Sequence, residues 1–458
     1  MTAEEYFRSL KSKRVTVVGF GVSNRPLINM LLDAGADVTV CDKRPIEQLG
    51  SDAEALEGRL RFVCGDSYLD DINADIVFKT PGMRRDLPGF LEAGRKGAVL
   101  TSEMQVFFEL CPCKKIAVTG SEGKTTTSTL ISEFLRQQGR TVWLGGNIGT
   151  PLLPEISRMK PSDIVVAELS SFQLFDMTVS AETAVITNIV QEHLNWHKDM
   201  QEYIDTKKRV FSFRKGGKVV LNDDYATTKD LALGHECDLY KFSFTHRVEK
   251  GAYLAPDGII HFSDGEKDVP VLDRRRIKII GDHNVENYMA AITATWGLVD
   301  ISVYGKVAES FGGVEHRMEY VRTKDGVKYF NDSICTSPTS AIACLKSQKD
   351  KIVMIAGGSD KKLDYSPVVP YILQKVSHLI LMGATARKIY DAVTSDPGYD
   401  PEKLTVEFSG GMEDSVQKAQ KAAMAGQSVY LLPVSASFDC YSNFEERGKH
   451  YKKLVNEL

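Results

Sequence analysis

No apolar run in the sequence approaches the roughly 18 residues that a membrane-spanning helix needs. The first residues, MTAEEYFRSLKSKR, lack the apolar centre of a secretory signal, so a cytoplasmic location is expected. Neither sign of charge dominates. Fifty-seven Lys and Arg against 61 Asp and Glu leave a formal net charge of −4, and without a general basic field non-specific nucleic-acid binding is not expected. The eight cysteines are scattered, and Cys111 and Cys113, with one residue between them, have poor spacing for zinc or redox work. They read as small buried apolar residues or free thiols of a reducing compartment. Short-period repeats and low-complexity linkers are missing as well. What is present is an ordinary globular composition, 43% hydrophobic and 26% charged, in a chain of 458 residues. That length exceeds one core and calls for two to four domains.

Three stretches begin with an apolar strand, a turn and a helix. In the first, residues 14–42 read RVTVV (strand), Gly19, Phe20 and Gly21 (turn), PLINMLLDAG (helix) and DVTVCD (strand, ending on Asp42), which is a βαβ unit. Strands at 61–65, 75–82 and 98–103 continue this sheet. The second starts at KKIAVTGSEGKTTTSTL and continues through TVWLGG, DIVVAELSS and TAVITNIV, a larger parallel sheet. Residues 237–280 alternate around Asp-Gly turns and predict a small antiparallel insertion, followed by a helix over 283–299. The third runs from about residue 314, with strands at 328–332, 351–358, 378–383 and 428–434. The expected fold is α/β with three domains: 1–103, Rossmann-like; 104–312, a P-loop ATPase-like parallel sheet with the antiparallel insertion; and 313–458, Rossmann-like.

The segment AVTGSEGKTTTSTL (117–130) is almost a phosphate-binding loop, but Val118 stands where the usual pattern has its first glycine. Between strand and helix, Gly120, Ser121, Glu122 and Gly123 can still turn N–H groups toward an anion at a helix N-terminus. Lys124 would reach the β/γ-phosphates and the Thr125 hydroxyl suits Mg²⁺, with Thr126 in the same turn; the competing reading is a plain helix cap. Glu168 ends an apolar strand, where an acid beside a phosphate loop reads as a Mg²⁺ ligand or as a capping or ion-paired Glu. His193 and His197 are four apart, but Leu194 between them excludes the zinc-protease motif. His193 serves Mg²⁺ or a phosphate, or is an ordinary surface imidazole. Lys207 and Lys208 cannot both face inward from one helix, and on spacing alone both read as solvated. The N-terminal turn lacks the third glycine of the dinucleotide fingerprint, although Asp42 sits about where a ribose-binding acid belongs.

Taken in order, GFGVSN, TGSEGKTTT, GGNIGTPLL, ELSSFQL, EHLNWH, YIDTKKRVF, GDHNVEN, GVEHRMEYV, NDSICTSP, AGGSDKKLDYS and ASFDCYSNFEERG resemble the Mur ligase family over nearly the whole chain. The short GxxGKT loop is the form this family uses. The resemblance implies an ATP-dependent amide ligase of peptidoglycan synthesis that adds D-glutamate to UDP-N-acetylmuramoyl-L-alanine through an acyl phosphate. Its implied cofactors are ATP, Mg²⁺ at two sites and a CO₂-derived carbamate on Lys207; a monomer is expected. The same resemblance places Gly120, Ser121, Glu122, Gly123, Lys124, Thr125, Thr126, Asn284, Asn287, Arg317 and Asp332 on ATP. It places Thr125, Glu168, His193 and Lys207 on metal, with Lys124, Glu168, His193 and Lys207 catalytic. Gly21, Val22, Ser23, Asp42, Lys43, Gly82, Asn147 and His193 would hold the UDP-substrate, and Thr336, Lys361, Ser437, Phe438 and Phe444 the D-glutamate. Core packing is the other reading of the two phenylalanines. Two departures stand out: Ile334 where many relatives carry Lys, and Asn195 where an acid often stands. The alternatives are another Mur-family or folylpolyglutamate-type ligase, a dinucleotide-dependent oxidoreductase using residues 14–42, and a non-catalytic P-loop scaffold.

Overall fold

The computed structural model describes residues 1–458 except Val22, Ile280, Lys361, Lys362 and the side chains of Thr339 and Ala343. The chain divides into two units, Met1–Ser310 and Phe311–Leu458. The first unit opens with a five-stranded parallel sheet: β1 (Arg14–Val18), β2 (Asp37–Asp42), β3 (Arg61–Cys64), β4 (Ile76–Lys79) and β5 (Val99–Thr101), in the order β3-β2-β1-β4-β5. RVTVV is apolar on both faces because both are covered, and Val15, Val17 and Val18 are buried. Strand order reverses between β1 and β4, the switch point beyond whose C-terminal ends sheets of this kind bind their ligands in a crevice.

The second sheet of this unit has nine strands. They are β6 (Lys114–Thr119), β7 (Val142–Gly146), β8 (Ile164–Glu168), β9 (Thr183–Ile186), β10 (Lys218–Asn222), β11 (Asp238–Ser243), β12 (Lys250–Leu254), β13 (Ile259–Asp264) and β14 (Asp268–Asp273). Their order is β14-β13-β12-β11-β10-β9-β6-β8-β7. The antiparallel strands expected over 237–280 are present at β12, β13 and β14, but they continue the main sheet, and β11 runs parallel to both β10 and β12. The helix expected to reach 299 ends at Thr295, because Trp296 leaves helical geometry and stacks on Phe262 with ring centroids 3.8 Å apart. A separate helix, Ile301–Ser310, follows.

The second unit is built on β15 (Glu319–Lys324), β16 (Val327–Asn331), β17 (Ile352–Gly357), β18 (Val376–Met382), β19 (Thr405–Phe408) and β20 (Ser428–Leu431), ordered β15-β16-β20-β17-β18-β19. Only β15 runs antiparallel. The edge strands β15 and β19 were not anticipated from the sequence: EYVRTK and TVEF bury none of their residues fully and carry no continuous apolar run.

Candidate active site

The loop from β6 to helix Lys124–Gln137 is short because glycine alone fits its two tight points. Gly120 has φ +152°, and a Cβ there would lie 1.9 Å from Thr187 Oγ1; Gly123 has φ +77°, and a Cβ would lie 2.2 Å from Asn287 Oδ1. The Ser121 N–H donates to the Asn188 carbonyl and the Glu122 N–H to Asn188 Oδ1, both at 2.9 Å. Lys124 Nζ donates to the carbonyls of Gly120 (2.9 Å) and Ser121 (2.7 Å), which curls the loop over its own lysine. Thr125 is buried and Thr126 half-buried in the first helical turn, and Gly123 supplies no side-chain cap. The helix therefore presents its amides and the positive end of its dipole to the loop. Beside the loop lies a cavity walled by Glu122, Asn188, Tyr225, Phe242, Glu286 and Asn287. Asn287 donates to Asn284 Oδ1 at 3.2 Å, so of the asparagines expected at the nucleotide one lines this cavity and the other braces it.

Glu168 ends β8 fully buried. Its Oε1 accepts from Asn147 Nδ2 at 2.8 Å, while Oε2 is buried with no hydrogen-bond partner. Asn147 also donates its backbone N–H to the Glu168 carbonyl at 2.8 Å, so in this structure it orients the carboxylate. Lys207 is buried and Lys208 is half-buried, which resolves which of the two lysines faces inward. Lys207 Nζ donates to the Gly120 carbonyl at 2.7 Å and lies 4.6 Å from the centre of the Tyr203 ring. Burial first, then the Lys124 ammonium, pushes Lys207 well below the ordinary lysine value, with Glu192 and Glu168 opposing. His193 adopts φ +57°, a left-handed conformation that His tolerates better than most residues. Its ring packs 4.9 Å from Phe172, and its Nε2 lies 3.6 Å from Glu192 Oε2.

Among the described residues no cluster of three or more His, Cys, Asp or Glu side chains could hold a metal ion. The fit to Mg²⁺ rests instead on the orphaned Glu168 Oε2, since Mg²⁺ takes one or two carboxylates and completes its shell with phosphate oxygens and water. Sequence reasoning missed Tyr203, whose hydroxyl lies 2.9 Å from Ser121 Oγ and which sits one helical turn before Lys207. A lysine–tyrosine pair at i, i+4 was the available signal.

At the first sheet, Gly21, Lys43 and Gly82 are exposed and Ser23 half-buried around the crevice, while Val22 lies outside the described residues. Asp42 is spoken for: its carboxylate accepts from the Phe20 N–H at 2.8 Å and from Arg44 Nε and Nη2 at 3.0 and 2.8 Å. Burial would raise its pKa, but Arg44 and these backbone donors outweigh that and hold it at about 2. Arg44, 47% exposed and tied to Asp42, is thus a further cation beside the Gly19 turn, a residue not singled out from the sequence.

In the second unit, loops after β16, β17 and β20 meet. Asp332 is buried, and burial pushes its carboxyl up to about 6 against the Met318 N–H and the Arg317 charge. Thr336 is half-buried and Ser437 buried; Lys361 lies outside the described residues. Phe438 is 65% exposed, so it is no core residue, and its N–H donates to Ser359 Oγ at 3.2 Å. Phe444 instead packs edge-on against His316, and its carbonyl accepts from Ser333 Oγ at 2.8 Å. The buried Arg447 ties these loops through Ser333, Ser435 and Ala436.

A glycine phosphate loop at the head of a parallel sheet, beside a desolvated lysine and an unpartnered carboxylate oxygen, defines a nucleotide-dependent α/β enzyme. Residues 118–295 match the Mur ligase middle domain, and residues 316–434 match the domain described as "Mur ligase, glutamate ligase domain". The UDP-N-acetylmuramoylalanine–D-glutamate ligase of Acetivibrio thermocellus is 46% identical over 99% of this chain and 98% of its own length; that of Clostridium kluyveri is 42% identical over 99% of each. The fold is shared with the crystal structure of UDP-N-acetylmuramate-alanine ligase MurC from Thermotoga maritima, with a TM-score of 0.55, 17% identity and coverage of 97% of this chain and 99% of that one. The chain belongs to the Mur ligase family.

Proposed function

We propose that this protein joins D-glutamate to UDP-N-acetylmuramoyl-L-alanine at the expense of ATP, in the cytoplasm, as a step of peptidoglycan synthesis. The substrate carboxylate oxygen attacks the γ-phosphorus of ATP, giving an acyl phosphate and ADP. The D-glutamate amine then attacks the acyl carbon and expels inorganic phosphate, leaving an amide and one released proton. What carries this reading is the full-length identity of 42% and 46% to relatives bearing that ligase name. Geometry supplies the chemistry: the first step brings a polyanion to a carboxylate, and Lys124, the loop amides and the helix dipole offset that repulsion. Thr125, Glu168, His193 and Lys207 would hold two Mg²⁺, which when bound neutralise charge on the phosphates. Burial disfavours the charged form of Lys207, and in its neutral form Nζ is suited to attack CO₂, forming an N–C bond and releasing a proton. The resulting carbamate is the anion a cation site there calls for.

The uridine nucleotide occupies the crevice near Gly21, Ser23, Lys43 and Gly82, with Arg44 as a further cation and Asp42 as the support behind it. Val22 and Lys361 keep their expected roles toward uridine nucleotide and D-glutamate. Thr336, Ser437 and Phe438 are the D-glutamate contacts, with Phe444 acting through its packing on His316. Residues 1–103, 104–312 and 313–458 serve as the uridine-nucleotide, ATP and amino-acid domains of a monomer. Because the Asp42 oxygens are taken by Arg44 and Phe20, a ribose-binding dinucleotide role is disfavoured. The acyl-phosphate route is tested with ¹⁸O in the substrate carboxylate: label must appear in the released phosphate, and unlabelled phosphate would overturn it.

A further inference from the structure

Between the end of β4 and residue 86 runs the loop that carries Gly82, at the crevice of the first sheet. Arg84, in this loop, forms a two-pronged bond with Glu202: Nη1 donates to Oε2 at 2.9 Å and Nη2 to Oε1 at 3.0 Å. Nη1 also donates to the Trp196 carbonyl at 3.2 Å, and the guanidinium lies 4.9 Å from the Phe175 ring and 5.2 Å from the Trp196 ring. A further bond joins the same two segments in the reverse direction, from Trp196 Nε1 to the Gly82 carbonyl at 2.8 Å. Both side chains of the Arg84–Glu202 pair are only about one-fifth exposed, at 18% and 20%, unlike an ordinary surface ion pair.

Glu202 belongs to helix Met200–Ser212, whose next face carries Tyr203 and Lys207. Residues 203 and 207 share one face because they are about one turn apart, and Glu202 lies about 100° around from Tyr203 and about 140° from Lys207. A forked, stacked guanidinium at Glu202 therefore fixes the helix in both rotation and translation against the Gly82 loop. Phosphoryl transfer needs its reacting atoms held within roughly 3–3.5 Å of each other, and a misplacement of about 1 Å costs on the order of a hundredfold.

We infer that Arg84 is a positioning residue that locks the Gly82 loop to the helix bearing Tyr203 and Lys207, so that the uridine-nucleotide crevice and the phosphate loop are held as one piece. The inference rests on the ligase reading above. Arg84→Ala lowers kcat/KM for UDP-N-acetylmuramoyl-L-alanine about a hundredfold, mostly in kcat, and leaves KM for ATP within about twofold. Arg84→Lys does not rescue it, because a point charge can neither fork nor stack. Glu202→Gln, which keeps the shape, loses about tenfold, and the double variant is no worse than Arg84→Ala alone. Should Arg84→Ala fail to fold by circular dichroism, Glu202→Gln and Arg84→Lys carry the test. A folded Arg84→Ala enzyme within about threefold of wild type in kcat/KM, or equal rescue by lysine, reduces the pair to a structural tie and overturns the inference. A folded wild type with no turnover on these substrates overturns the ligase reading and the inference with it.

Discussion

At Lys207 two effects push the same way: burial strips water from the ammonium, and Lys124 adds a like charge nearby. Replacing Lys207 with Ala is expected to lower turnover at least about a hundredfold, the scale of removing one charge-stabilising group. Added bicarbonate or a short carboxylic acid partly restores it, whereas Lys208→Ala keeps near-normal rates. Full activity in Lys207→Ala with loss in Lys208→Ala would contradict the assignment; steady-state phosphate release decides. The two lysines could not be separated from spacing, because adjacent helical positions differ by about 100° and the direction of the core is a tertiary property. The place of Glu168 was legible, since it closes the apolar run that forms β8. Arg44 and Tyr203 were not, because an arginine after a strand and a tyrosine on an amphipathic helix look like surface and core. Gly123 supplies a further test. Gly123→Ala brings a Cβ within 2.2 Å of Asn287 Oδ1 at φ +77°, so ATP binding by calorimetry should fall while the fold survives. Unchanged affinity would detach the loop from the nucleotide.

Among the elements, helix Glu103–Leu110 carries a titration of its own. Ser102 Oγ caps it by accepting from the Gln105 N–H at 3.2 Å, and the first helical residue, Glu103, is buried with Oε1 accepting from the Leu153 N–H at 3.1 Å. Burial pushes this carboxyl from its ordinary 4.5 up to about 7. The folded state then holds a proton that the unfolded chain has lost, so this group's contribution to stability is full below about 4.5 and is lost as pH rises toward about 7. Glu103→Gln should flatten that decline and raise stability at pH 8 by at most about 3 kcal/mol, read from thermal melts at several pH values. A steeper decline in the variant would contradict the buried proton. Central strands such as β1, β6 and β17 were readable because both of their faces are covered and all but the first residue of β1 and β6, and all of β17, are buried around β-branched and apolar side chains. The edges were not: β15 and β19 pair on one side only, and neither has a continuous apolar run or a fully buried residue. Residues 237–280 showed their turns but not their sheet, since alternation reports a half-buried face and not the neighbouring strand.

At the scale of the whole molecule, each unit has its own core; in the second it runs through Met354, Leu379, Leu381, Ile389 and Leu432. Residues 311–458 expressed alone should therefore melt in a single cooperative transition, and a non-cooperative melt would show that this core needs the rest of the chain. That the chain is α/β was plain from its repeated strand–turn–helix pattern. Its activity was legible because eleven short segments occur in a fixed order, each of them weak by itself. The choice of amino acid is the central claim. Phosphate release with ATP and UDP-N-acetylmuramoyl-L-alanine, changing only the amino acid, tests it directly. D-glutamate should support turnover and L-alanine, L-lysine and diaminopimelate should not; equal or faster release with any of those three would contradict the account.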